Sequence, residues 1–198
     1  MATRLTRSEQ TERNRALVLE AARRVFLERG YAGASVDAIA DEAGFSKGVV
    51  YSQFAGKSDV LFALLDARIE ERAAENADRA AGLAGADGLR TLLRENARLG
   101  DEYADWTRLL LEFRLFAAHD EELNARYAAA HARTVEHFGE VLAGIAARGG
   151  LRLVLGPRDT AQLILALAAG VTLERTADPL ALPEAVVEEL ATRLGEPI

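Results

Sequence analysis

Apolar residues recur along this chain at three- and four-residue intervals from end to end. Val18, Ala21, Ala22, Val25 and Phe26 form the first such stripe, which predicts a helix over about 11–29 that stops at Gly30. Ser35 is placed to cap a short second helix over 36–43, with Val36, Ile39, Ala40 and Ala43 inward, and Gly44 breaks it. Ser46 heads a third, over 47–54, in which Val50 and Phe54 share one side. After Ala55-Gly56 a long helix is expected over about 57–81, with Leu61, Leu64, Leu65 and Ile69 inward. The small, Gly-rich stretch 80–88 reads as a loop. Further helices are predicted near 89–99, 102–118, 121–148, 158–175 and 183–194, with Pro157 and Pro183 at tolerated first-turn positions. No segment alternates with period two. The expected fold is all-α with about nine helices. It divides into a polar tail (1–10), a three-helix helix-turn-helix unit (11–56) and a larger helical region for ligand binding and dimerisation (57–198).

The third helix carries the candidate chemistry. Opposite Val50 and Phe54 lie Gly48, Val49 and Ser52, with Tyr51 beside them and Lys47 at the open end. Small residues with flanking donors suit a helix that lies in the major groove of DNA, where close approach and hydrogen-bond donors are both needed. Lys47 and Lys57 are the only lysines, although the chain has 24 basic residues. A compact ammonium suits a phosphate oxygen, so the two lysines bracket this helix as candidate backbone contacts.

The overall charge of −7 argues against nucleic acid until it is resolved by segment. Residues 1–60 hold nine basic and eight acidic side chains, and residues 61–198 hold fifteen and twenty-three. The negative charge therefore sits away from the candidate DNA-facing end. There is no cysteine, which excludes disulfides, thiolate nucleophiles and sulfur-ligated zinc. His131 and His137 lie about 240° apart around one helix, and no metal or cofactor is expected. No phosphate-binding loop or nucleophile motif supports an enzyme. The polar N-terminal stretch lacks the apolar segment of a signal peptide, and Leu163–Val171 is too short to span a bilayer, so a soluble cytoplasmic protein is expected.

The stretch VDAIADEAGFSKGVVYSQFAGKSDVLFALL resembles the signature region of the tetracycline-repressor (TetR) family of bacterial transcriptional regulators. The matching positions are Ala43, Gly44, Ser46, Lys47, Gly48, Tyr51, Phe54, Lys57 and Leu61, and the likeness extends over about residues 15–65, roughly a quarter of the chain. The resemblance implies phosphate contacts from Tyr51 and Lys57, and positions at or near base edges for Lys47, Gly48, Val49, Ser52 and Gln53. It also implies a backbone contact from Ser35. Ser35 and Ser46 are at the same time plain helix caps. Asp37 falls where some members carry a basic DNA contact. A carboxylate there repels phosphate, although it suits a cytosine amino group.

Two later stripes hold the only Trp and three of the seven Phe residues: Trp106, Leu109, Leu110, Phe113 and Phe116 on one helix, and Tyr127, His131, Thr134, Val135 and Phe138 on the next. Either they form ordinary core or they enclose an apolar ligand cavity, with Tyr103, Trp106, Leu110, Phe113, His131 and Phe138 as lining. The resemblance adds weight to the cavity, because family members hold an inducer in this region. The helix over 158–175 is apolar nearly all round and calls for a partner. Leu163, Leu167, Ala169, Gly170, Val187, Leu190 and Leu194 are the expected dimer contacts. The functional expectation is a homodimeric repressor of a pseudo-palindromic double-stranded DNA operator, released by a lipophilic or aromatic inducer. The alternatives are a constitutive DNA-binding regulator without a ligand and a ligand-binding dimer that no longer reads DNA.

Overall fold

Thr6 opens the first helix with a capping box. Its hydroxyl accepts the Glu9 amide while the Glu9 carboxylate accepts the Thr6 amide. Helix α1 therefore runs Arg7–Gly33, and residues 7–10, expected as tail, are its first turn. The structure, a computed structural model, describes residues 6–97, 100–183, 186, 189 and 194–197. Helix α2 (Val36–Ala43) follows, with the Ser35 hydroxyl accepting the Ala38 amide at 3.1 Å. Gly44 ends it in the left-handed region at φ 70°.

Helix α3 is shorter than the sequence suggests, Lys47–Tyr51 rather than 47–54. The Ser52 hydroxyl and the Gln53 side-chain Nε2 both donate to the Val49 carbonyl, while the Gln53 main-chain N–H turns to the Val50 carbonyl, so the regular ladder stops there. Next come α4 (Lys57–Ala80), α5 (Gly85–Ala97), α6 (Gly100–Ala117), α7 (Glu121–Arg148) and α8 (Pro157–Ala177). α5 starts inside the expected loop, because Gly85 and Gly149 pack backbone to backbone. A Cβ on Gly149 would stand 2.1 Å from the Gly85 Cα.

Among the described residues there are thus eight helices, an all-α fold, with one small addition. β1 (Leu151–Leu153) pairs antiparallel with β2 (Gly195–Pro197), Arg152 opposite Glu196. The expected helix over 183–194 falls mostly outside the described residues, including Val187 and Leu190.

α4 and α7 run side by side in the same direction. Asp59 pairs with Arg126 at 2.8 Å and Asp66 pairs with Arg133, so both helices advance seven residues between contacts. At the far end the Arg148 guanidinium donates to the carbonyls of Leu83 and Ala80, at 2.8 and 2.9 Å, and closes the C-terminus of α4. The core forms two clusters along these helices. One joins Val18, Phe26, Ile39, Val50 and Phe54 to Leu61, Leu65, Trp106 and Phe113. The other joins Ala80, Leu89 and Leu92 to Val135, Phe138, Leu142 and Ile145. Among the described residues no helix is long and apolar enough to cross a membrane.

Candidate nucleic-acid interface and effector region

The α2–turn–α3 unit stands on a small apolar base. Val50 is fully buried and Phe54 nearly so, with the Arg15 guanidinium 4.4 Å above the Phe54 ring. That anchoring fixes which residues of α3 face out. Lys47, Gly48, Tyr51 and Ser52 are exposed, Tyr51 at 55%, and Val49 is half-buried beside them. Ser46 stands in the extended N-cap conformation without a side-chain capping bond, so its expected capping role is absent. Ser35 does cap its helix and is exposed as well. Gln53, expected near base edges, is half-buried like Val49 and lines a cleft of about 330 Å³ with Arg15, Asp59, Phe62 and Arg126.

The Lys47 ammonium meets Asp37 of α2 at 2.5 Å, with both side chains more than half exposed. That hydrogen bond raises the lysine pKa above its ordinary value. An exposed pair of this kind is held weakly and is open to exchange for another anion. A second exposed pair, Arg24 with Glu42 at 2.7 Å, braces α1 against α2.

Lys57 differs from Lys47. Its ammonium donates to the carbonyls of Tyr31 and Ala34, at 2.7 and 3.0 Å, and lies 4.3 Å over the Tyr31 ring. Two of its three N–H groups therefore close the end of α1, and partial burial lowers its pKa. Of the ammonium expected to contact phosphate, one donor remains beyond these two hydrogen bonds.

Across the same corner lies Glu112 of α6, which sequence reasoning missed. Its carboxylate accepts the amides of Tyr31 and Ala32, at 3.0 and 2.7 Å. Eighty-one positions separate Glu112 from Tyr31, and no local pattern announces such a contact.

The six expected ligand-lining residues are not brought around one space. Trp106 and Phe113 are buried in the first cluster with Leu110 against it, whereas Phe138 belongs to the second. Phe113 sits at the centre of an aromatic group, 4.8 Å from Tyr31, 5.4 Å from Phe62 and 6.1 Å from Tyr127. His131 stacks on Tyr127 at 6.1 Å, and burial, then the nearby Arg114, pushes its pKa down. The two clefts described lie elsewhere, at α1–α6 and at the α3–α4 turn.

Tyr103 joins a polar group that the apolar stripes had hidden. Arg72 donates to Glu75 at 2.7 Å and Asn96 at 2.9 Å, and its guanidinium lies 5.5 Å from the Tyr103 ring centre. Asn76 beside it is only 8% exposed. Burial lowers the Arg72 pKa and raises that of Tyr103. The signal was present in the sequence: Arg68, Arg72 and Asn76 interrupt the stripe of α4.

On α8, Leu163 is 49% and Leu173 59% exposed, and Gly170 faces open space. Leu167 and Ala169 are half-buried, and Leu194 packs against the second core cluster. Val187 and Leu190 lie outside the described residues. Among the described residues no group of His, Cys, Asp and Glu side chains gathers as a metal ion would require.

A short helix on a turn, anchored by two apolar side chains and backed by a large helical body, defines a helix-turn-helix protein. Residues 18–64 match the bacterial regulatory proteins of the tetR family, and residues 85–195 match the C-terminal region of BetI-type transcriptional repressors. The chain belongs to the TetR family. It is 32% identical over 114 residues to the HTH-type transcriptional repressor AcnR of Corynebacterium efficiens, covering 58% of this chain and 56% of that protein. The chain thus spans about half the length of the curated relatives it matches. Among solved structures, a TetR/AcrR-family regulator from Thermobifida fusca is 28% identical with a TM-score of 0.57, covering 91% of this chain and 94% of that one. FadR from Bacillus subtilis, solved in complex with stearoyl-CoA, superposes with a TM-score of 0.67 at 20% identity, covering 90% and 96%. That likeness is one of fold.

Proposed function

We propose that this chain is a DNA-binding transcriptional regulator that acts as a dimeric repressor and is released by a small lipophilic or aromatic inducer. One observation carries the reading. Lys47, Gly48 and Tyr51 on α3, with Ser52 at its C-cap, stand exposed together on a unit fixed from behind by Val50 and Phe54. Small residues let that helix enter a major groove, and the hydroxyls and ammonium reach bases and phosphates. Ser35, Val49 and the remaining donor of Lys57 flank it. The unit over 11–56 reads DNA, and the region over 57–198 holds effector and partner.

The open apolar face of α8 supports pairing with a second copy about a two-fold axis. Such a dimer sets its two reading helices roughly 34–36 Å apart, for a pseudo-palindromic operator. Inducer and operator then weaken each other by the same factor. Because α4 is tied to α7 at Asp59, Asp66 and Ala80, these helices move as a pair. The inducer acts on that pair or on α6. A second reading, a regulator without inducer, is favoured by the packed interior at Trp106 and Phe113.

The test is selection of binding sites from random duplexes, followed by titration across a salt series with wild type, Lys47→Ala and Tyr51→Ala. The expected result is one enriched palindrome, weaker binding in both variants, and a log–log salt slope shallower by about one in the lysine variant. Selection that enriches no sequence refutes the DNA reading. Light scattering that finds a monomer at micromolar concentration refutes the dimer.

A further inference from the structure

The corner between α1 and α2 is gripped from both sides by charges of opposite sign. Gly30 interrupts α1 at φ 67°, ψ 175°, a conformation that only glycine adopts readily. The break frees the amides of Tyr31 and Ala32 from their places in the helical ladder, and such donors need a partner. Glu112 supplies it with one carboxylate oxygen for each amide, Oε2 to Tyr31 and Oε1 to Ala32. The fit is close: a Cβ on Gly30 would stand 2.4 Å from Oε2. The backbone angle is what demands glycine, while a side chain there would also push the Glu112 carboxylate off its two amides.

Lys57 takes the acceptors of the same corner, the carbonyls of Tyr31 and Ala34. Ser35, the cap of α2, follows at once. Two residues, Gly33 and Ala34, separate Ala32 from Ser35, which leaves little slack between the clasp and the helix-turn-helix. The neighbours of Glu112 on α6 hold the corner too, since the Tyr31 ring meets Phe113 at 4.8 Å and Phe116 at 5.0 Å. Gly30 and Glu112 themselves form one wall of a cleft of about 180 Å³ between the same two helices, with Leu27, Asp105, Arg108 and Leu109 around it. The clasp and the two ring contacts of Phe113 and Phe116 thus hold the corner beside an open space.

We propose that Glu112 is a positioning residue for DNA reading: it transmits the position of α6 to α2 and α3 through the Tyr31 and Ala32 amides. The proposal rests on the DNA-regulator function above for its consequence, and on the clasp alone for its geometry. Any effector that displaces α6 pulls this corner directly, without needing α4 to swing free of α7.

The experiment is amide hydrogen exchange on the full chain, wild type against Glu112→Gln and Glu112→Ala, first without DNA. Glutamine keeps the shape and one acceptor but loses the charge and the second acceptor. Exchange over residues 31–38 is expected to rise about tenfold in Glu112→Gln and further in Glu112→Ala, while α4 beyond Leu65 and α7 keep their rates. Unchanged exchange at 31–38 overturns the proposal. So does a uniform rise along the whole chain, because it marks a merely structural loss. On the selected operator, Glu112→Gln is expected to bind about tenfold more weakly with an unchanged salt slope, since no phosphate contact is removed. Operator is expected to slow exchange over 105–116 in wild type and not in the variant. Operator protection of that segment in both proteins overturns the transmission. If wild type selects no DNA, the regulator function falls, while exchange in the free protein still decides the clasp.

Discussion

Replacing Lys57 by alanine separates two roles that meet in one ammonium. The side chain makes two charge-assisted hydrogen bonds to main-chain carbonyls and rests on the Tyr31 ring. Each such bond contributes about 1.5–3 kcal/mol when fully shielded, and the cation–π contact about 0.5–1 kcal/mol. Lys57 is only half-buried, so water replaces much of what is lost, and the discounted total is about 1–2 kcal/mol. In a chain of 198 residues that lowers Tm by about 3–6 °C. Lys47→Ala is the control. Its partner is an exposed carboxylate, and no change in Tm is expected. Both variants remove a cation beside the proposed reading helix, so both are expected to make the salt slope on selected DNA shallower by about one. Calorimetry at fixed protein concentration and a fluorescence-anisotropy salt series measure the two effects. An unchanged Tm in Lys57→Ala refutes the capping role, and an unchanged slope refutes the phosphate contact.

Phe113→Ala empties the centre of the aromatic group and should cost roughly 3–5 kcal/mol, read from the urea midpoint; a wild-type midpoint would place the ring outside the core. Asp37→Asn releases Lys47 and removes a carboxylate from the proposed DNA-facing side, so affinity for random duplex should rise severalfold and its salt slope should steepen. A fall in that affinity would give Asp37 a direct base contact instead. For His131 the folded pKa is lowered while the unfolded value stays near 6.5. The unfolded chain therefore binds more protons as pH drops below about 6.5, and stability falls there. His131→Gln should flatten that part of the Tm–pH curve, and an unaltered curve would assign the acid loss to other groups.

Elements closed by local chemistry were legible in the sequence. α2 and α7 begin and end where Ser35, Gly44, the residues after Ala118 and the Gly-Gly pair at 149–150 place them. The start of α1 was legible too, since Thr6 and Glu9 have capping-box spacing, but the apolar stripe begins later and drew the boundary with it. α3 came out short because Ser52 and Gln53 compete for the Val49 carbonyl, which periodicity does not register. The exposed face of α3 followed from Val50 and Phe54 alone. The remaining features depend on partners far away in sequence: Glu112 on Tyr31, Lys57 on Ala34, Arg148 on Ala80. A stripe shows that a face is apolar without saying which core receives it, so Trp106 and Phe138, one per cluster, looked like one surface. Three-residue strands are too short to leave a period of two.

The first apolar cluster runs without a seam across Gly56. Phe26 and Tyr31 stack on each other, and Tyr31 continues into Phe113, which touches Phe62. Modularity is limited accordingly. A chimera that grafts residues 1–56 onto a foreign body would strand Tyr31 without its aromatic neighbours and leave two main-chain amides facing no carboxylate. Exchange of reading heads between relatives, by engineering or by recombination, has to bring matching residues at 112–116 and 57–62 with it. The working unit of inheritance is therefore a head together with the underside of the body that carries it.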